Sequence, residues 1–234
     1  MSEVFLILPS GVSLLDRILN GGLYTGVFTH IYGEAASGKT TLGLQFVSKM
    51  CRQGLSTIYI NSEDTSPFER LEQMTGKNFK EIETMVKILK PRNFAEQGVL
   101  IEDIDLYMKE ETRLIVIDTL TKQYRLALED KKTNYSNHRE LNRQAGILKG
   151  LAYNRDVAVL VLNQVTAKMN GIEKVEPVAE NIMDYWSDYI LELRIGGKSG
   201  QRIMERLRPK GDCSEGKLLL TTKGLVADTI TEKE

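Results

Sequence analysis

The chain is short of the residues that would mark it as a member of several large protein classes. Its two cysteines, Cys51 and Cys213, lie far apart and outside any CxxC or Cys/His cluster. That excludes a disulfide scaffold and a zinc-site spacing, and points to a reducing compartment. The two histidines, His30 and His138, are equally isolated, without a partner at the spacing of a metal site or a nucleophile triad. An excess of one charge is missing too, since 31 Lys and Arg stand against 32 Asp and Glu. No global basic field announces a nucleic-acid binder, so any such role must rest on local patches. No apolar run approaches the ~20 residues of a membrane span. The N-terminal MSEVFLILPSG has neither a basic leader nor a small-residue cleavage site, so a cytoplasmic location without a membrane partner is expected.

What is present is an ordinary globular composition, 41% hydrophobic and 27% charged, which argues against disorder and collagen. The 234 residues suffice for one α/β core, and 1–234 is expected to be a single domain, with no repeat, low-complexity tract or linker. From Val27, β-branched or apolar runs alternate with helical periods, the pattern of βαβ units around a mostly parallel sheet. The strand candidates are VFTHIY, STIYIN, MVKIL, RLIVID and VAVLVLN. Leu42, Phe46 and Met50 form one helical stripe, and Leu141, Ala145, Leu148 and Ala152 a second; both are expected to face the sheet. SPFE at 66–69 reads as a helix start, with Ser66 as cap, Pro67 at the first helical position and Glu69 reaching back, which puts Arg70 in the first turn. DYILELRI and QRIMERL alternate in polarity around GGKSG and predict an antiparallel C-terminal extension. LLLTT reads as one more strand, and TITEKE as a charged, frayed tail.

The most specific signal is GEAASGKT, from Gly33 through Glu34, Ala35, Ala36, Ser37, Gly38 and Lys39 to Thr40. It matches GxxxxGK[ST], a loop whose glycines let the backbone curl around phosphate oxygens at a helix N-terminus. It follows a strand candidate and opens an amphipathic helix, so a nucleoside triphosphate with Mg2+ is the expected ligand. Thr41 continues the loop into the helix, Lys39 would meet the β and γ phosphates, and Thr40 can ligate magnesium. RLIVID ends in Asp118, placed to hold the magnesium shell. Glu63, just past STIYIN, is the candidate for activating water, with Asp64 beside it as competitor. Gln164, in NQV, can hydrogen-bond the terminal phosphate and report its loss.

Beyond the P-loop, SGVSLLDRILNGGLYTGVFTHIYGEAASGKTTLGLQ resembles the opening of the RecA-type recombinase core, with LD and GG elements at Leu15, Asp16, Gly21 and Gly22. LIVIDTLTKQYR looks like the second nucleotide motif running on through Tyr124 and Arg125, and LNRQAGILKGLAYNRDVAVLVLNQV resembles the helix and strand that lead to a sensor glutamine. The likeness runs from Ser10 to about Asp228 and is to the archaeal and eukaryotic recombinases with their paralogs. It implies the same roles for Lys39, Thr40, Asp118, Glu63 and Gln164, and places Arg70, in FERL, where the family stacks a guanidinium on adenine.

The departures from that family bear on function. Only about ten residues precede the core, so no N-terminal helical domain is expected; Phe5 is either a subunit-docking aromatic or a packing residue. The family's two DNA loops would fall near 126–136 and 166–180, and the second is short. Lys131, Lys132, Lys168 and Lys174 are candidate phosphate contacts there. Arg194, Lys198, Arg202, Arg206, Arg208 and Lys210 concentrate charge around the late hairpin. Residues two apart on a strand share a face, so Arg202, Arg206 and Arg208 are expected to line one DNA-binding surface, or else to guard a sheet edge. The pattern resembles the archaeal paralogs, implying a repair and recombination accessory that binds ATP and DNA, single-stranded and without sequence preference. Such a protein hydrolyses ATP weakly and assists a main recombinase or other repair proteins; a homodimer is open and a stable filament is not expected. Two rivals remain. A KaiC-like signalling ATPase or kinase would use the Glu63–Asp64 pair, and a non-hydrolysing adaptor would use ATP only as a conformational ligand.

Overall fold

The structure is a computed structural model that describes residues 5–167 and 175–228. Lys168, Lys174 and the TITEKE tail lie outside the described residues. The chain opens with β1 (Ile7–Leu8), α1 (Ser13–Ile18), β2 (Leu23–Tyr24), β3 (Phe28–Gly33) and α2 (Lys39–Arg52). There follow β4 (Ser56–Asn61), α3 (Phe68–Thr75), α4 (Phe79–Glu83), β5 (Val86–Leu89), α5 (Phe94–Glu102) and β6 (Thr112–Asp118). Next come α6 (Thr121–Leu126), α7 (Lys131–Arg155), β7 (Ala158–Ala167), β8 (Val175–Pro177) and α8 (Glu180–Trp186). The C-terminal part is β9 (Tyr189–Ile195), β10 (Gln201–Arg208), β11 (Glu215–Thr221) and β12 (Gly224–Ala227).

The large sheet has the order β12-β11-β10-β9-β3-β7-β6-β4-β5, with β8 added to β7. From β5 to β9 neighbouring strands are parallel, and from β9 to β12 they are antiparallel, which is the expected parallel sheet with a C-terminal extension. β1 and β2 form a separate two-stranded ribbon, and the Phe5 ring packs over Gly26, where a Cβ would meet it at 2.6 Å.

Because successive strand side chains point to opposite faces, each central strand feeds two cores. Ile31, Tyr59, Leu114, Val116, Leu160 and Leu162 enter one core, which α2 covers with Leu42, Phe46 and Met50. Phe28, Ile58, Ile60, Ile115, Ile117, Val159 and Val161 enter the other, which α7 covers with Leu141, Ala145, Leu148 and Ala152. The two expected stripes therefore face opposite sides of one sheet. Strands buried on both faces read as continuous apolar runs, which is why they stand out in the sequence.

The start of α3 differs in detail. Pro67 is the N-cap and no side chain caps the helix; the Ser66 hydroxyl instead accepts a long 3.4 Å hydrogen bond from the Phe68 amide. Arg70 still lies in the first turn. The second DNA loop expected near 166–180 is in part regular structure: β8 pairs antiparallel with β7, Val165 opposite Pro177, and 168–174 lie outside the described residues. Among the described residues no helix is long and apolar enough to cross a membrane, and no group of three or more His, Cys, Asp or Glu is gathered for a metal ion. Both cysteines are free thiols, and burial pushes the Cys51 thiol up to about 11.

Candidate functional site

Sheet register aligns three strand ends and one position inside β7 in two pairs, two residues apart along the sheet. Gly33 at the end of β3 lies opposite Gln164 of β7, and Asn61 at the end of β4 lies opposite Asp118 of β6. The carboxyl ends of parallel strands are where open α/β sheets form their binding crevices. Here a cleft of about 390 Å³ opens, lined by Lys39, Thr40, Glu63, Asp118 and Gln164, together with Leu220 of β11. Residues far apart in sequence thus meet in one place. Ala35, Ala36, Gly38 and Thr41 also line it, and Gly33, Glu34 and Ser37 complete the loop.

The loop is shaped for close approach. Gly38 has φ +103° and is the N-cap of α2, which has no capping side chain and no acid in its first turn. An L side chain rarely adopts that backbone. The first amides of the helix are thereby left for an anion, with the helix dipole in its favour. The Lys39 ammonium folds back on the loop, donating to the carbonyl oxygens of Gly33 at 2.9 Å and Glu34 at 2.7 Å and to the Ser37 hydroxyl at 3.3 Å. Burial lowers its pKa, opposed by the charges of Asp118, Glu63 and Glu34. At Gly33 the constraint is steric, since a Cβ there would lie 2.1 Å from the Leu193 carbonyl oxygen of β9.

Asp118 is 1% exposed. Its Oδ2 accepts a 2.6 Å hydrogen bond from Tyr59, while Oδ1 has no partner among the described residues. Burial raises its pKa, and the Tyr59 and Thr40 hydroxyls pull it back. A buried carboxylate oxygen without a donor suits a cation or the water held by one. A magnesium–triphosphate would satisfy that oxygen, the uncapped amides and the Lys39 ammonium together, so the donor set fits a nucleoside triphosphate with Mg2+, with Thr40 and Asp118 on the metal side.

Glu63 sits on a loop fixed by Asn61, whose side chain accepts from the Glu63 amide at 3.0 Å and donates to the Thr65 carbonyl at 2.9 Å. The Gln164 amide is 3.5 Å from Glu63 Oε1, and the Lys122 ammonium is 3.3 Å from Oε2 and 3.0 Å from Asp64. The Gln164 oxygen in turn accepts from Arg125 at 3.5 Å. Glu63 lines the cleft and Asp64, its sequence competitor, does not. Behind this loop Gln97, fully buried, accepts from the Ser62 hydroxyl and donates to the Leu120 carbonyl and to Gln144.

Arg70 lies outside the cleft lining and donates to the Thr221 carbonyl at 2.7 Å and to Gln73. Lys131 and Lys132 are exposed in the first turn of α7. The expected arginine surface on β10 is not formed. Arg202 and Arg206 are buried, at 8% and 3% exposure, because their strand face lies with Met204 against the core that includes Leu15 and Ile18 of α1. A register shift between Arg206 and Arg208 turns Arg208 aside, where it donates to the Asp184 and Ser187 carbonyls at the end of α8. Arg194 is ion-paired to Glu205, Glu215 and Glu192.

Three participants are not visible to sequence reasoning. Lys122 and Leu220 reach the site only through tertiary contacts. Arg202, expected to face outward, instead donates to the P-loop carbonyls of Ser37 and Ala36. Its period-two position identifies a face, and only the packing of α1 tells which face is covered.

Comparison with known proteins agrees with this architecture. The model of the Rad51 family matches residues 2–228. A DNA repair and recombination protein RadB from Methanococcoides burtonii is 32% identical over 211 residues, covering 89% of this chain and 93% of that one. One from Methanothermobacter thermautotrophicus is 32% identical over 81% of this chain and 82% of its own length, and one from Methanobrevibacter smithii is 29% identical over 91% and 92%.

Proposed function

The chain belongs to the Rad51 family of RecA-type recombinases and is RadB-like, and from that premise we propose that it is an ATP-binding accessory protein of DNA repair and homologous recombination. In this reading residues 1–234 are one cytoplasmic core domain that binds single-stranded DNA without reading sequence. It assists or regulates a main recombinase, and its own ATP hydrolysis is weak.

The observation that carries the reading is the convergence of Lys39, Thr40, Asp118, Glu63 and Gln164 on one cleft. Lys39 and the first amides of α2 would hold the phosphates, and Thr40 and Asp118 the magnesium, which supplies charge neutralisation of the phosphates. Glu63 would accept the proton of the attacking water. Weak turnover follows from its surroundings, since the Gln164 amide and the Lys122 ammonium stand at its two oxygens. Gln164 begins the part of β7 that runs on to the β7–β8 hairpin. Loss of the terminal phosphate would therefore act on the segment that carries Lys168 and Lys174, so that ATP serves as a switch for DNA and partner binding.

The test compares wild type and Lys39→Ala by calorimetric titration with ATP and Mg2+, with at least about tenfold weaker binding expected from loss of a charge-assisted contact. Equal affinity would remove the site assignment. ATP turnover with and without single-stranded DNA, run beside light scattering, tests the accessory role. Strong stimulation with filament growth would make the protein a recombinase in its own right.

A further inference from the structure

Arg202 is a buried cation with no counter-ion among the described residues. It is 8% exposed, and its hydrogen-bond partners there are three carbonyl oxygens and no carboxylate. Nε donates to Ser37 at 2.7 Å, Nη2 to Ala36 at 3.0 Å and Nη1 to Gln201 at 2.8 Å. Taking a guanidinium out of water is unfavourable unless an opposite charge compensates it. Carbonyl dipoles offset part of that cost and leave the net charge in place.

We propose that Arg202 is a positioning residue for phosphate binding: it holds the P-loop in its anion-ready shape, and the phosphates of a bound nucleotide supply the counter-charge that the fold omits. This rests on the nucleotide reading of the cleft given above. The Ser37 carbonyl it grips belongs to the peptide group whose amide hydrogen is that of Gly38, and the Ala36 carbonyl to the one whose Ser37 amide closes the loop on the Glu34 carbonyl at 3.2 Å. Donation to a peptide oxygen polarises the whole group and makes its N–H a stronger donor. The same two contacts bracket backbone that needs outside support. Ala36 has φ +60° and Gly38 φ +103°, and a non-glycine residue in the left-handed region persists only where its surroundings over-determine it.

The connection also runs the other way. Arg202 is on β10, opposite Leu218 of β11, and Leu220 two residues further along lines the cleft and lies 3.5 Å from where a Gly38 Cβ would stand. The antiparallel extension is thereby fastened to the loop through one side chain and forms the outer wall of the same cleft.

The experiment measures two quantities on wild type, Lys39→Ala, Arg202→Met and Arg202→Lys: the melting temperature without nucleotide, and the rise in it on adding ATP with Mg2+, checked by calorimetric titration. A ligand that binds only the folded state raises stability according to its affinity. Arg202→Met is expected to bind ATP about tenfold or more weakly and to lose most of the ATP-induced rise; Arg202→Lys, which keeps the charge and loses the fork, should recover part of it. A residue with a merely structural role would lower the nucleotide-free melting temperature and leave the ATP-induced rise intact, and that result overturns the proposal. So does failure of both variants to fold, which would make Arg202 a folding residue. Absence of any rise in wild type, or an equal rise in Lys39→Ala, would instead overturn the nucleotide reading of the cleft.

Discussion

Tyr59 donates its phenol hydrogen to Oδ2 of Asp118 at 2.6 Å, and both residues are buried. The pair holds one carboxylate oxygen and leaves the other facing the place where a metal would sit. Burial raises the Asp118 pKa above its ordinary 3.8, with the hydrogen bond from Tyr59 the largest opposing influence. The folded protein therefore binds this proton more tightly than the unfolded chain does. The group's contribution to stability is full below 3.8 and is lost as the pH rises through the raised folded value.

Asp118→Asn, which cannot ionise, is accordingly expected to melt higher than wild type at neutral pH in the absence of nucleotide, with the difference closing toward about pH 4. Binding of ATP with Mg2+ should fall about tenfold or more in the same variant. Thermal melts at the two pH values, with and without Mg2+ and ATP, read both effects. A variant that melts below wild type at both pH values would show that burial of the charge is not the governing cost.

Lys122→Met should raise ATP turnover a few-fold, well below the full contribution of a general base of about a hundredfold or more, with ATP affinity unchanged. The reason is local. Lys122 approaches Glu63 from outside the cleft lining and shares its charge with Asp64, so its loss frees a Glu63 oxygen without touching the phosphate loop. Steady-state phosphate release measured beside an ATP titration decides it, and slower turnover would mean that Lys122 orients Glu63 productively.

With Arg202 and Arg206 turned inward, the exposed Lys131 and Lys132 are the expected phosphate-contacting lysines that fall within the described residues. Lys131→Glu combined with Lys132→Glu should weaken single-strand binding at low salt and reduce the slope of log affinity against log salt by roughly 1 to 1.5. Fluorescence anisotropy with a labelled homopolymer over a salt series measures this. An unchanged slope would move the contact to the β7–β8 hairpin.

Much of this site is legible in the sequence because its parts sit where local rules are strict. The P-loop is a contiguous motif whose glycines answer to backbone geometry, and Asp118 ends an apolar run too short and too β-branched to be anything but a buried strand. Glu63 and Gln164 follow from the same strand-end logic. Sheet order is not legible: β3 lies between β7 and β9, neighbours more than a hundred residues away. Arg202 and Leu220 elude a sequence reading for that reason, since their roles depend on the extension folding back over the loop. Gln97 is a third instance. Its three side-chain hydrogen bonds tie Ser62, Leu120 and Gln144 together, and no local pattern distinguishes a fully buried glutamine from a surface one on an otherwise ordinary helix.

Gly33 bears on how such a protein can be taken apart. With the Leu193 carbonyl only 2.1 Å from where its Cβ would be, the first residue of the phosphate loop is set by a neighbouring strand and not by the ligand. The loop is consequently not an interchangeable module. A chimera that transplants residues 33–40 into another sheet, or grafts a different edge beside β3, must carry β9 along with the loop, because the two meet at an atom that is missing from glycine.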